Sequence, residues 1–114
     1  MLEMRERHKI EIANKFNAAI INFNIEDKLS AIDQLTILVN KNDATYSPLA
    51  LYFLIDNNLV DNKDEINIFF DQLINKIRLD EEIKNLIIYK KALFNSDFSS
   101  ENELLKILNP IINS

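Results

Sequence analysis

Two groups of side chains in this sequence have the composition for acid–base chemistry: Asp64-Glu65 and Asp80-Glu81-Glu82. Both stand at the start of apolar-periodic segments, where carboxylates interact favourably with the positive end of a helix. Their place is therefore explained by helix electrostatics, without a proton-transfer role. His8 and Glu11 are three residues apart and could share a metal ion. His8 is the sole histidine and cysteine is absent, so the common zinc and iron ligand sets cannot be assembled. Ser30, Ser47, Ser96, Ser99, Ser100 and Ser114 have no base of the histidine type beyond His8 to activate them. We therefore expect no catalytic residue, no metal, no cofactor and no enzymatic activity.

A second set of residues suits recognition rather than reaction. Tyr52 and Tyr89 lie off the main apolar stripes of their segments, and Lys90-Lys91 follows Tyr89 directly. An exposed tyrosine offers a ring and a hydroxyl to a bound peptide. The same residue can instead pack at a helix edge with its hydroxyl in water. The lysine pair could hold an acidic partner segment, or stand solvated on its helix.

Composition narrows the classes. The formal net charge is -5, and Arg5, Arg7 and Lys9 are interleaved with Glu3, Glu6 and Glu11. A nucleic-acid binder needs a basic footprint that this chain lacks. Glycine is absent, which removes phosphate-cradling loops and disfavours tight β-hairpins. The longest apolar run, Leu49 to Ile55, is seven residues, against the roughly 20 that a membrane span requires. Hydrophobic residues make up 47%, enough for one core in a chain of 114 residues. Residues 1–114 are read as one domain, with 1–9 a polar leader able to fray.

Apolar spacing is helical nearly throughout and predicts six helices. The first, about 3–23, carries Ile12, Phe16, Ala19 and Phe23 on one face. The second, about 26–40, carries Leu29, Ile32, Leu35, Leu38 and Val39. The third begins near Tyr46, with Pro48 in its first turn and a face of Leu49, Ala50, Phe53 and Leu54. The fourth, about 63–77, presents Ile66, Phe69, Phe70, Leu73 and Ile77. The fifth, about 81–94, presents Ile83, Leu86, Ile87 and Leu93. The sixth begins near Glu101, with Leu104, Leu105, Leu108 and Ile111, and Pro110 is expected to end or kink it. Asn62 and Ser100 open capping-box patterns, and Asp80 is placed to cap the fifth helix. Asn24, Asn42, Asn57 or Asn58, and Asn95 are candidate stop residues in place of glycine.

The segments alternate as helix, loop, helix. Start signals for the second helix of each pair fall at Asn24, Asn62 and Ser100, 38 residues apart in each case. A regular period of this size marks helical-hairpin repeats. The repeat is degenerate: Ala19 and Ala31 suit close helix contact in the first hairpin, whereas the second offers Ile66.

Two blocks carry a resemblance. Tyr46-Ser47-Pro48-Leu49-Ala50-Leu51 gives a Tyr-x-x-Leu-Ala opening, and Ile83 through Leu93, followed by Leu104 to Leu108 and Pro110-Ile111, gives a Leu-rich helix and its close. Together with Phe16-Asn17-Ala18-Ala19, they resemble the tetratricopeptide-repeat-like domain of the ancillary subunit of the bacterial SecYEG translocon, in its alphaproteobacterial form. The resemblance spans about 13–111. The family's membrane anchor and last hairpin have no counterpart here. It implies a membrane-associated scaffold on the periplasmic side of the inner membrane, binding translocon components or chaperones.

The expected fold is all-α: three stacked antiparallel helical hairpins forming a short right-handed solenoid like that of tetratricopeptide repeats, or a compact six-helix bundle. The expected function is non-enzymatic protein binding, with Tyr52, Tyr89, Lys90 and Lys91 as contact candidates. The alternative is a structural subunit that forms a homodimer through Leu104, Leu108 and Ile111, a face no further hairpin covers.

Overall fold

The computed structural model describes residues 2–113, with side chains from residue 4. It consists of six α-helices in chain order: α1 (Leu2–Asn24), α2 (Lys28–Val39), α3 (Tyr46–Asp56), α4 (Lys63–Lys76), α5 (Glu81–Asn95) and α6 (Glu101–Ile112). Among the described residues there is no strand. Residues 2–9, expected as a leader, form the opening turns of α1.

Local chemistry sets the helix ends. Asn62 Oδ1 accepts the amides of Asp64 and Glu65 at 2.9 and 3.2 Å, and Ser100 Oγ accepts the amide of Glu103 at 3.2 Å. Asp80 occupies the cap position of α5, but its side chain makes no capping bond. The start of α3 is tied by a residue the sequence reading passed over. Asp43 Oδ2 accepts the amides of Thr45 and Tyr46, while buried Ser47 Oγ accepts the Asp43 amide at 2.8 Å and donates to the Leu38 carbonyl at 2.7 Å. That serine thus anchors the α3 start to the end of α2. Asn42 and Asn58 adopt left-handed backbone, with φ of 56° and 53°. The α1–α2 turn uses Glu26 (φ 67°) instead of Asn24, and α2 is capped by Asp27. The second-helix caps therefore stand at 27, 62 and 100, giving intervals of 35 and 38 and not an even 38.

Each consecutive pair of helices is in contact, and α1 also touches α3. Two aromatic contacts define that last pairing. Phe16 meets Tyr46 at 5.5 Å between ring centroids, and Phe23 meets Phe53 at 5.1 Å. The partners are seven residues apart on both helices, so α1 and α3 run parallel, as the first helices of stacked hairpins must. The second helices are linked across the stack by Gln72 of α4, which donates to Asn40 and Asn42 at the end of α2. The radius of gyration is 15.1 Å and the extents are 43 × 37 × 16 Å. A compact chain of this length would have a radius near 13 Å. The arrangement is a thin slab of stacked hairpins, which favours the array over the compact bundle.

One core runs from Ile12 and Ala19 through Leu35, Leu38 and Val39, Ala50, Leu51 and Leu54, to Ile66, Phe69, Phe70, Leu73 and Ile87. Phe16 and Phe53 pack against it, half-buried. Two expected core residues of α2 and α3 are exposed. Leu29 is 79% exposed because α2 begins there, beyond the reach of α1 and α3, and Leu49 is exposed while its neighbour Leu51 faces inward. Pro110 does not end α6, which continues to Ile112. A proline this near the end leaves only Ile111 and Ile112 of the helix beyond it.

Burial in α5 departs most from the periodicity. The expected stripe was Ile83, Leu86, Ile87 and Leu93; the buried face is Ile87, Ile88, Ala92 and Asn95. Ile83, Leu86 and Leu93 are 40%, 48% and 53% exposed. A polar pairing explains the rotation. The Asn67 and Asn95 side-chain amides exchange two hydrogen bonds between α4 and α5, at 2.9 and 2.8 Å, and Asn95 also donates to the Lys91 carbonyl. Asn95 is 4% exposed, so losing the partner while α5 keeps this facing would leave a buried amide unpaired, at a cost of about 1–3 kcal/mol. Asn95 is thus a buried register residue and not the left-handed stop.

These burial patterns separate two substitutions of similar chemistry. Phe70→Ala should lower the unfolding free energy by about 3–5 kcal/mol in urea titrations. Leu29→Ala, at a position that apolar spacing alone assigns to the core, should change it by less than about 0.5 kcal/mol.

Candidate functional site

The rotation of α5 turns Leu93 toward α3 and opens a cleft between the first helices of the second and third hairpins. Tyr52, Ile55 and Asp56 line it from α3, Lys90, Leu93 and Phe94 from α5, and Phe70 of α4 closes its base. Its volume is about 220 Å³. Clefts that enclose drug-sized ligands run to roughly 300–1,000 Å³, so this one suits a side chain or two of a larger partner.

The floor is aromatic. Phe70 and Phe94 meet at 6.1 Å, and Phe94 meets Phe98 at 5.4 Å edge to face. The Lys63 ammonium sits 4.0 Å from the Phe98 ring centroid. This chain of rings connects the core under α4 to the α5–α6 loop and keeps the cleft floor packed.

Tyr52 and Lys90 form one unit. The Lys90 ammonium lies 4.5 Å from the centre of the Tyr52 ring, within range of a cation–π attraction. The Tyr52 phenol pKa is raised to about 12 by burial, and the nearby cation does not offset that desolvation. Lys91, next in sequence, points elsewhere. It pairs with Asp71 of α4 at 2.7 Å. With Asp71 more than half exposed, this pair contributes at most about 1 kcal/mol and serves chiefly to orient α5 on α4. The lysine pair is therefore split between a cleft residue and a packing residue.

Of the sequence candidates, the structure brings Tyr52 and Lys90 together. Tyr89 is 51% exposed and stays out of the cleft. Leu104, Leu108 and Ile111 are half-buried with Ile107 on one stripe of α6, the helix that packs on α5. Leu105 and Ile112, seven residues apart on the flank of that stripe, are exposed. The carboxylates Asp64, Glu65, Glu81 and Glu82 sit in first helical turns. His8 and Glu11 are exposed on α1. Among the described residues no group of three or more His, Cys, Asp or Glu side chains could hold a metal ion, and no helix is long and apolar enough to cross a membrane.

Sequence reasoning missed Ile55, Asp56, Phe94 and Phe98. Ile55 and Asp56 close a helix whose apolar residues run without a break, so periodicity gives no facing there. The one available signal was spacing: Tyr52 and Asp56 are one turn apart, as are Lys90 and Phe94. A second cavity, about 320 Å³, lies between α1 and the α2–α3 turn, lined by Lys9, Ile10, Ala13, Asp43, Thr45 and Tyr46. Its carboxylate, Asp43, is already engaged in the α3 cap.

Comparison with known proteins finds no matching protein family, no matching curated protein and no matching solved structure.

The raised phenol pKa gives a signed expectation. The folded state holds the Tyr52 proton more tightly than the unfolded chain, so the resulting stability is fully present below pH 10 and is lost as pH rises toward 12. Thermal midpoints of the parent should therefore fall more steeply across this window than those of Tyr52→Phe. Equal slopes would place the phenol in water.

Proposed function

We propose that this domain is a non-enzymatic protein-interaction module that takes a partner segment into the α3–α5 cleft. The observation that carries this reading is Leu93: a large apolar side chain, 53% exposed, at the rim of a cleft with an aromatic floor. Exposed apolar side chains scattered singly need no explanation, but one beside a half-buried tyrosine and a lysine forms a small anchor site. Stacked helical hairpins offer such sites between their first helices. The likeness to the translocon subunit's domain extends the proposal to a scaffold on the periplasmic side of a bacterial inner membrane that binds translocon components or chaperones.

Selection of a displayed library of linear peptides against the folded chain tests the reading. Selected clones should lose affinity about tenfold or more on Leu93→Glu, a loss of about 1.4 kcal/mol, while the variant's helical circular dichroism is unchanged. Clones that bind Leu93→Glu as well as the parent would move the docking surface elsewhere.

A second reading has its own observation. The sequence of α6 holds six Leu and Ile residues, yet none of its residues is buried. That favours a structural subunit that self-associates through α6. Light scattering coupled to size exclusion should then show a dimer for the parent and a folded monomer for Leu105→Asp/Ile112→Asp. A monomeric parent removes this reading.

A further inference from the structure

The charges around the cleft are arranged so that they can specify what enters it. Lys90 lies over Tyr52, and Asp56 lines the same cleft. Tyr52 and Asp56 are four residues apart on α3, a rise of about 6 Å. Lys90 and Phe94 are four apart on α5, and Leu93 and Phe94 line the cleft together with Ile55 and Asp56. The lining thus carries a cation beside Tyr52 and, one turn of α3 away, an anion, with apolar side chains in the same cleft.

Neither charge has an ion-pair partner among the described residues. Among the described residues the one ion pair is that of Lys91 with Asp71, so no carboxylate lies within pairing distance of Lys90 and no cation within that of Asp56. The contrast between adjacent lysines is informative. Lys91 neutralises a neighbour, whereas Lys90 lies over an aromatic ring in a chain whose net charge is -5. Among the described residues no group hydrogen-bonds the Tyr52 hydroxyl, which leaves a donor beside the ammonium.

We propose, building on the docking reading above, that the cleft recognises a peptide segment with one large apolar anchor, a carboxylate on its Lys90 side and a cation on its Asp56 side. The anchor fills the space over Phe70 and Phe94. The carboxylate meets Lys90 and can accept from the Tyr52 hydroxyl, a charge-assisted contact stronger than a neutral one. The opposite charge near Asp56 gives the segment a fixed direction along the groove, because a reversed segment would set like charges against each other. A wholly acidic segment is disfavoured by Asp56 and by the chain's own negative charge.

The test selects a random library of linear dodecapeptides in parallel on the full chain and on Lys90→Glu, Lys90→Arg and Asp56→Lys. Both positions lie at the cleft edge and neither belongs to the core, so folded variants are expected, with circular dichroism as the check. Clones from the parent should be enriched for Asp or Glu on one side of a Leu or aromatic anchor, and for Lys or Arg on the other. Lys90→Arg should return the same pattern. Lys90→Glu should exchange the acidic flank for a basic one, and Asp56→Lys should do the converse at the other end. Cross-binding of parent clones to Lys90→Glu should weaken about tenfold or more. A common anchor with flanks indifferent to all three substitutions would overturn this inference and leave the docking reading intact. Failure to select any clone sensitive to Leu93→Glu would overturn both.

Discussion

The paired amides of Asn67 and Asn95 decide which way α5 faces, and the rest of the surface follows from that choice. Helix α5 carries apolar residues at 83, 86, 87, 88, 92, 93 and 94, more than one stripe's worth, and hydrophobicity alone does not say which of them turn inward. The amide pair does. Once Asn95 is buried and bonded to Asn67, Ile87, Ile88 and Ala92 go inward with it, and Ile83, Leu86 and Leu93 are left at the surface. A buried amide without its partner costs about 1–3 kcal/mol, comparable to what burying one leucine contributes. With more apolar residues than one face can hold, a polar term of that size is enough to select the facing.

That outcome gives the molecule a cleft with an aromatic floor and formal charges of both signs in its lining. A pair of short helices cannot bury both of its faces, so stacking supplies the missing cover. Phe16 with Tyr46 and Phe23 with Phe53 seal the first hairpin against the second. Between the second and third the seal is incomplete: Phe70 and Phe94 pack below, but Tyr52 and Lys90 meet at the edge and leave open space beside Leu93. The Lys91–Asp71 pair, too exposed to add much stability, reinforces the same rotation by holding the next residue of α5 to α4.

Much of the architecture is legible in the residues because it is set locally. Asn62 and Ser100 cap where their side chains can reach the next turn's amides, and the six helices follow from spacing of apolar residues. The faces of α1 and α4 are read correctly because each has a single unambiguous stripe. What escapes is decided between helices. Leu29 has helical spacing but no neighbour to meet, and Asp27 outcompetes Asn24 because the turn tightens through Glu26. Tyr52 is legible as an off-stripe residue and Lys90 as half of a lysine pair, yet their meeting depends on how the second and third hairpins stack, and their separation from Tyr89 and Lys91 on the rotation of α5. Asp56 and Phe94 had no local signal beyond their one-turn offsets from those two.

The central claim is that the amide pair sets the facing of α5 and thereby places Lys90 over Tyr52. The most direct measurement is the proton NMR shift of the Lys90 ε-methylene, with its cross-relaxation to the Tyr52 ring, in the parent and in Asn67→Ala/Asn95→Ala. The account predicts an upfield, ring-shifted signal with Tyr52 contacts in the parent. In the double variant that shift and those contacts should be lost while the helical content persists. An unchanged shift and contact in the folded double variant would mean that apolar packing alone orients α5, and would contradict the account.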